Sequence, residues 1–309
     1  MRTLLIVFWA LAVSWAFSSC VPDIPLANLQ SQYTNGASRV FPFQGMPVHY
    51  RDEGSGPTVL LLHGTSSSLH TWDAWTTAMN QAGFRVIRLD LPAFGLTGPH
   101  PTHDYSNDMY LELFDSLRQH CQVDKWSVVG NSLGGYLSWH YALESPEAID
   151  KLILVDPAGA PRPDSLTKKT PLVFRLARRK VIGNALAKMT PKSMIRGNLE
   201  EVYYNDSLVT DDLVELYYAM LRRAGNREAF LARARTPRNT SRWGELSNLN
   251  LPTLIMWGAA DEWIPVEDAS TFQSQIPNSR LIIYPKLGHV PMEEAPMETV
   301  SDALAFLRE

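Results

Sequence analysis

Cysteine is nearly absent from this chain: Cys20 and Cys121 are the only two among 309 residues. Two thiols cannot staple a chain of this size, and Cys121 directly follows a stretch with helical spacing, so a Cys20–Cys121 bond is not expected. Stability must come from a core, and 45% hydrophobic residues with nine tryptophans can supply one. Positive charge is not in excess either. Against 32 acidic residues stand 28 Lys and Arg, for a net charge of −4, which argues against a nucleic-acid partner for the whole protein. Internal repeats, low-complexity tracts and the glycine patterns of dinucleotide and phosphate loops are all missing, so no cofactor is expected.

Long apolar runs are missing too, with one exception at the N-terminus. After Met1-Arg2-Thr3, an apolar run extends from Leu4 to Phe17. It is too short to span a bilayer comfortably, and its flanks fit a signal peptide. Phe17-Ser18-Ser19-Cys20 resembles a bacterial lipoprotein cleavage box, although such boxes usually carry an aliphatic residue where Phe17 stands. The resemblance implies export to the cell envelope with acylation at Cys20. Plain secretory cleavage after Ser18 or Ser19 is the second reading, and an uncleaved anchor the third. Residues 21–37, which include Pro22, Pro25, Asn35 and Gly36, read as a tether between anchor and fold.

The most informative segment is Gly130-Asn131-Ser132-Leu133-Gly134. Trp126-Ser127-Val128-Val129 before it reads as a buried strand. Leu133, Leu137 and Tyr141 after it recur at helical spacing. G-x-S-x-G between strand and helix is a nucleophile elbow, a turn so tight that its flanking positions admit only glycine. A serine hydroxyl needs a base, and the base an orienting acid, which follow in the order Ser, Asp or Glu, His. Leu254-Ile255-Met256-Trp257 reads as a strand leading to Asp261. Arg280-Leu281-Ile282-Ile283-Tyr284 reads as the next strand, leading to His289. In a parallel sheet both would stand at neighbouring strand ends. Backbone N–H donors for a developing oxyanion are expected from Leu133 and from Thr65, in the loop after Thr58-Val59-Leu60-Leu61-Leu62.

Each residue also has a plainer reading. Ser132 could merely cap a helix, Asp261 could cap one starting near Val266, and His289 could be a loop histidine satisfied by backbone. Asp156, which ends Leu152-Ile153-Leu154-Val155, is a rival for the acid. His49, His70, His100, His103, His120 and His140 read as structural or surface residues. His100 and His103 have no third ligand nearby in sequence, so no metal site is expected. Order and placement together favour the Ser132, Asp261, His289 constellation.

His63-Gly64, Asp90-Leu91-Pro92-Ala93-Phe94-Gly95, Gly130-Asn131-Ser132-Leu133-Gly134-Gly135, Trp257-Gly258-Ala259-Ala260-Asp261 and Gly288-His289 match, in order, the landmarks of the α/β-hydrolase superfamily. The chain resembles its capped serine hydrolase branch. The resemblance runs from about residue 38 to residue 309 and implies an eight-stranded, mostly parallel sheet with a helical cap inserted after the sixth strand. The alternation of strand and helix patterns stops near Pro157 and resumes at Leu251, which places the core at 38–158 and 246–309 and the cap at 159–245. Within the cap, helices are expected over 171–189, 193–202, 211–224 and 228–234. Thr210-Asp211-Asp212-Leu213 supplies a cap and acidic first turn for the third. From Arg162 to Arg196 there are ten basic residues and one acid, Asp164. This segment reads as a solvated amphipathic helix or as a lid resting on anionic lipid.

A serine nucleophile sets the chain apart from the superfamily's dehalogenases and epoxide hydrolases, which attack with aspartate. The resemblance implies hydrolysis of carboxylic esters of apolar acids, with a small-molecule or lipid ester as substrate. One alternative is a carbon–carbon bond hydrolase of aromatic-ring degradation, although the tryptophan usual shortly after the histidine of that group is absent here, where Val290-Pro291-Met292-Glu293-Glu294 follows. The other is a non-catalytic binding protein that keeps the fold.

Overall fold

The computed structural model describes residues 21–161, 183, 188–237, 239 and 241–309. Eight strands form one sheet: β1 Ser38–Phe43, β2 Met46–Gly54, β3 Thr58–Leu62, β4 Arg85–Leu89, β5 Trp126–Asn131, β6 Ile149–Val155, β7 Thr253–Gly258 and β8 Ser279–Tyr284. Their spatial order is β1-β2-β4-β3-β5-β6-β7-β8. Only β2 runs against its neighbours, and β4, β3, β5, β6, β7 and β8 are mutually parallel. This is the architecture expected from the sequence, with cap helices present between β6 and β7.

Alternating strand residues build two cores, one on each face. Leu60, Leu62, Val128, Leu152 and Leu154 belong to one apolar cluster, and Val59, Leu61, Val129, Ile153 and Val155 to the other. The period-2 geometry of a strand makes this partition, and covering both faces makes the central strands apolar throughout. Helix α4, Leu133–Glu144, buries every residue from Leu133 to Ala142, so the helix behind the elbow is embedded in the molecule.

Four more helices matter for the site. In the cap, α5 spans Lys192–Val202, α6 Asp211–Arg222 and α7 Asn226–Arg235. The Thr210 hydroxyl accepts from Leu213 N–H at 3.2 Å, the cap predicted for α6. The short α9, Pro291–Glu294, follows β8. The helix expected over 171–189 lies almost wholly outside the described residues, as do residues 1–20.

Residues 21–37 depart from the expected tether. They contain helix α1, Leu26–Tyr33, and are folded against the cap. Leu29 is buried in a cluster with Leu96, Ala219 and Met220, with Ile24 packed beside it. The Ile24 N–H donates to Arg222 O at 2.7 Å, and Arg227 pairs with Asp23 at 2.6 Å. Prolines and polar residues gave this segment a linker's composition, but Ile24 and Leu29 find an apolar seat only once α6 is in place. Cys121 is buried and free.

Candidate active site

Ser132 lies between β5 and α4 with φ +52°, ψ −111°, a left-handed conformation that costs a non-glycine residue energy. The turn tolerates no bulk at its flanks. A Cβ on Gly130 would stand 2.3 Å from Gly134 O, and one on Gly134 would stand 2.1 Å from Leu62 O. The Ser132 side chain makes no capping hydrogen bond to α4. The plain reading of Ser132 as a helix cap therefore fails, and its hydroxyl is left for another use.

Asp261 and His289 come together. His289 Nδ1 donates to Asp261 Oδ2 at 2.6 Å, with both side chains buried. Asp261 Oδ1 accepts from the N–H groups of Trp263 at 2.7 Å and Ile264 at 2.9 Å. The carboxylate thus holds the histidine ring through one oxygen while the backbone fixes the other. Neither plainer reading survives, because α8, Glu267–Gln275, starts after Val266 with no side-chain cap, and His289 is held by a carboxylate.

The loop that carries His289 is tied down from three sides. Asn131, the residue before Ser132, donates from Nδ2 to His289 O at 3.0 Å and to Val155 O at 3.2 Å. The elbow, the end of β6 and the histidine loop are therefore one hydrogen-bonded unit. From the cap, Val202 O accepts the His289 N–H at 2.8 Å. From α9, Glu294 accepts the N–H groups of Gly288 at 2.6 Å and Tyr204 at 2.8 Å. Burial raises the Glu294 carboxyl above its ordinary range, and these backbone donors oppose that rise. Its neighbour Glu293 accepts from the hydroxyls of Thr71, Tyr203 and Tyr217, joining core to cap, and burial raises its carboxyl as well. Trp263 stacks on the His289 ring, with centroids 5.9 Å apart and planes at 28°, and is 43% exposed. Sequence reasoning missed Asn131, Val202, Trp263, Glu293 and Glu294. Only Asn131 and Trp263 carried a signal, through their places beside the motif residues.

The second expected oxyanion loop sits against the elbow. A Cβ on Gly64 would stand 2.9 Å from Asn131 Oδ1 and 3.2 Å from Ser132 Cβ, so the loop that continues into Thr65 packs against the turn that carries Ser132. His63 shapes this loop. Its buried ring donates from Nδ1 to Gly64 O at 2.7 Å and accepts the Leu91 N–H at Nε2, 2.9 Å away. Burial lowers its pKa, which suits this neutral tautomer. Leu133, the other expected donor, is buried at the start of α4. Between this loop and the cap lies a small cavity lined by Ser66, Ser67, Phe94, Met220, Asn226 and Phe230 among others, and no basic side chain lines it among the described residues.

Asp156, the rival acid, is also present. It is fully buried at the end of β6 with φ +43°, and its Oδ1 accepts the Gly258 N–H at 2.9 Å. It does not hold the histidine; Asp261 does.

The arrangement places an imidazole, held by a carboxylate, on a loop hydrogen-bonded to the turn that carries Ser132. Known proteins similar to the chain have the same overall form. The sequence pattern of the alpha/beta hydrolase fold matches residues 57–296. The chain is 28% identical to 2-hydroxy-6-oxo-2,4-heptadienoate hydrolase of Pseudomonas putida, over 84% of this chain and 94% of that protein. It is equally similar, at 28%, to an uncharacterized protein of Mycobacterium tuberculosis, over 93% of this chain and 83% of the other. Among solved structures, a meta-cleavage product hydrolase from Pseudomonas fluorescens superposes with a TM-score of 0.73 at 26% identity, covering 87% of this chain and 97% of that one. An esterase from Exiguobacterium antarcticum shares the fold, with a TM-score of 0.74 at 20% identity, over 89% of this chain and all of the other. With the matched pattern covering most of its length and the strand order, elbow and cap all in place, this chain belongs to the alpha/beta hydrolase family.

Proposed function

We propose that the protein is a serine hydrolase that cleaves carboxylic esters through an acyl-enzyme. Ser132 attacks the carbonyl carbon, and His289 takes the hydroxyl proton and returns it to the leaving alcohol. Water then repeats the sequence to release the acid. Asp261 keeps Nδ1 protonated, so that the other ring nitrogen is the base. The N–H groups of Thr65 and Leu133 receive the oxyanion. The observation that carries this reading is the Asp261–His289 hydrogen bond beside a strained serine whose side chain caps nothing.

A second reading has its own support. The Pseudomonas putida relative is named for hydrolysis of a hydroxy-oxo-dienoate, a carbon–carbon cleavage. Against it, the tryptophan usual shortly after the histidine of the carbon–carbon hydrolases is absent here, where Val290-Pro291-Met292-Glu293-Glu294 follows.

Two measurements test this. Labelling by a serine-directed phosphonate, lost in Ser132→Ala, is expected, and a folded protein that resists labelling would return the chain to a binding role. Steady-state kinetics on acyl esters of increasing chain length, run beside a hydroxy-oxo-dienoate, separate the two chemistries. Turnover of the dienoate alone would overturn the ester reading.

We also propose that the mature chain begins at an acylated Cys20 in a bacterial envelope. The support is the composition of residues 1–20 alone. The basic segment from Arg162 to Arg196 is proposed to meet anionic lipid; of its described residues, Lys188 accepts the Val21 N–H at its carbonyl, 2.8 Å away.

A further inference from the structure

Behind the Asp261–His289 pair lies a second carboxyl group that the proton transfers above do not use. One oxygen of Asp156, one of Asp261 and a ring nitrogen of His289 all lie within 4.8 Å of one another, and all three residues are buried. The two carboxyl groups are not equivalent. Asp261 receives three donors: two backbone N–H groups and the His289 ring. Asp156 receives one, from Gly258, and its Oδ2 is buried without a donor among the described residues.

Two ionised carboxylates at such a distance, away from water, repel strongly, so one of them keeps a proton. The proton goes where the anion is least supported. Three donors stabilise the charge on Asp261, whereas an ionised Asp156 would leave one oxygen bare. A protonated Asp156 has a hydroxyl to donate, and Asp261 is the carboxylate beside it.

We infer that Asp156 is a positioning residue, a neutral carboxylic acid that donates a hydrogen bond to Asp261 and so orients the carboxylate that holds His289. The inference rests on the proposed roles of Asp261 and His289. The backbone fixes Asp156 in place, since its N–H donates to Met256 O at 3.0 Å and Pro157 follows directly. The strained φ of +43° turns the side chain off the end of β6 toward β7 and its loop. The acid–base balance agrees, since burial and then the charge of Asp261 push the Asp156 carboxyl well above the usual range. Among the described residues, the other titratable groups that act on it or respond to it include His289, Glu294 and Tyr284, and none of these supplies a compensating fixed positive charge.

The test compares Asp156→Asn with Asp156→Ala. An asparagine can accept from Gly258 through its oxygen and donate to Asp261 through its amide, with no proton to lose. Asp156→Asn is expected to keep kcat within about threefold of wild type and to leave the acid limb of kcat/KM in place. Asp156→Ala leaves Asp261 short of a donor, so kcat should fall about tenfold to a hundredfold with KM little changed, and the acid limb should move upward. The low-field proton resonance of the His289 Nδ1–H in resting enzyme should persist in Asp156→Asn and shift or broaden in Asp156→Ala. That readout needs no turnover, so a wrong choice of substrate would not disturb it, whereas phosphonate labelling of Ser132 tests the hydrolase reading separately. An Asp156→Ala protein with wild-type kcat, acid limb and resonance would overturn the inference. So would a folded Asp156→Asn protein that loses both activity and the resonance, because Asp156 would then be needed as an anion. Should Asp156→Ala fail to fold, the Asn variant decides the matter with these same outcomes.

Discussion

The backbone N–H of His289 donates to the carbonyl of Val202, the last residue of a cap helix, at 2.8 Å. The candidate base is therefore held in part by the cap as well as by the sheet that presents it. A cap that only roofed a substrate could be altered without touching the base. Here, movement of the C-terminal end of α5 would move the histidine loop.

Substitution of the three proposed catalytic residues should show that they act together. Ser132→Ala and His289→Ala are each expected to lower kcat by about six decades, because either loss disables the whole unit. Asp261→Asn should cost about four decades, through a wrongly held imidazole tautomer. Single-turnover kinetics with folded variants checks this. Near-normal activity in Asp261→Asn would refute the choice of acid.

Glu294 offers a test of the link between cap and base. Glu294→Ala removes the acceptor for the Gly288 and Tyr204 N–H groups, and stability should fall by about 1–3 kcal/mol, the usual cost of stranding part-buried donors. Because Gly288 precedes His289, kcat should fall with stability. Urea unfolding and kinetics on the same preparation would reveal a fall in one without the other.

Asp90 predicts how the fold meets acid. Its buried carboxylate accepts from the Leu69 N–H, the Leu96 N–H and His49 Nδ1, each at 2.8 Å. Burial would raise its pKa, but the His49 hydrogen bond and the electrostatic influence of His49, His63 and His70 together outweigh burial and hold it well below the ordinary value. A depressed folded pKa means that the unfolded chain binds the proton more readily. The stabilisation is therefore present above the unfolded value of about 3.9 and lost as pH falls toward the folded one. Asp90→Asn should destabilise the protein near neutrality and flatten its stability curve below about pH 4. Chemical denaturation across that range would show parallel curves for variant and wild type if Asp90 were not responsible.

The N-terminus is open to direct measurement. If Cys20 is acylated, mass spectrometry of the mature protein should find a lipid-modified cysteine as its first residue, and Cys20→Ser should shift the protein out of the membrane fraction. A mature chain starting at Ser19, or an unmodified Cys20, would discard acylation and leave export to be judged on its own.

The elbow was legible in the sequence because its physics is local. Gly130 and Gly134 are required by atoms within a few residues or on the adjoining strand, so the pattern announces its own geometry. The mostly parallel sheet was legible for a related reason, since continuous apolar runs such as Val59 to Leu62 fit strands covered on both faces. The Asp261–His289 bond was inferable because both residues follow neighbouring strands, and Asp261 was preferred to Asp156 for its loop and its match to the family rather than for any partner visible in the sequence. That choice was made by the loop after β7, whose N–H groups support one carboxylate and leave the other short of donors. The same holds for residues 21–37, read as a tether until α6 supplied a surface for Ile24 and Leu29. It holds too for Val202 and Glu294, which carry no motif and matter only through the histidine loop they grip. Short-range sterics and burial periodicity are written along the chain. Long-range partners for buried polar groups exist only after the cap and the sheet have met.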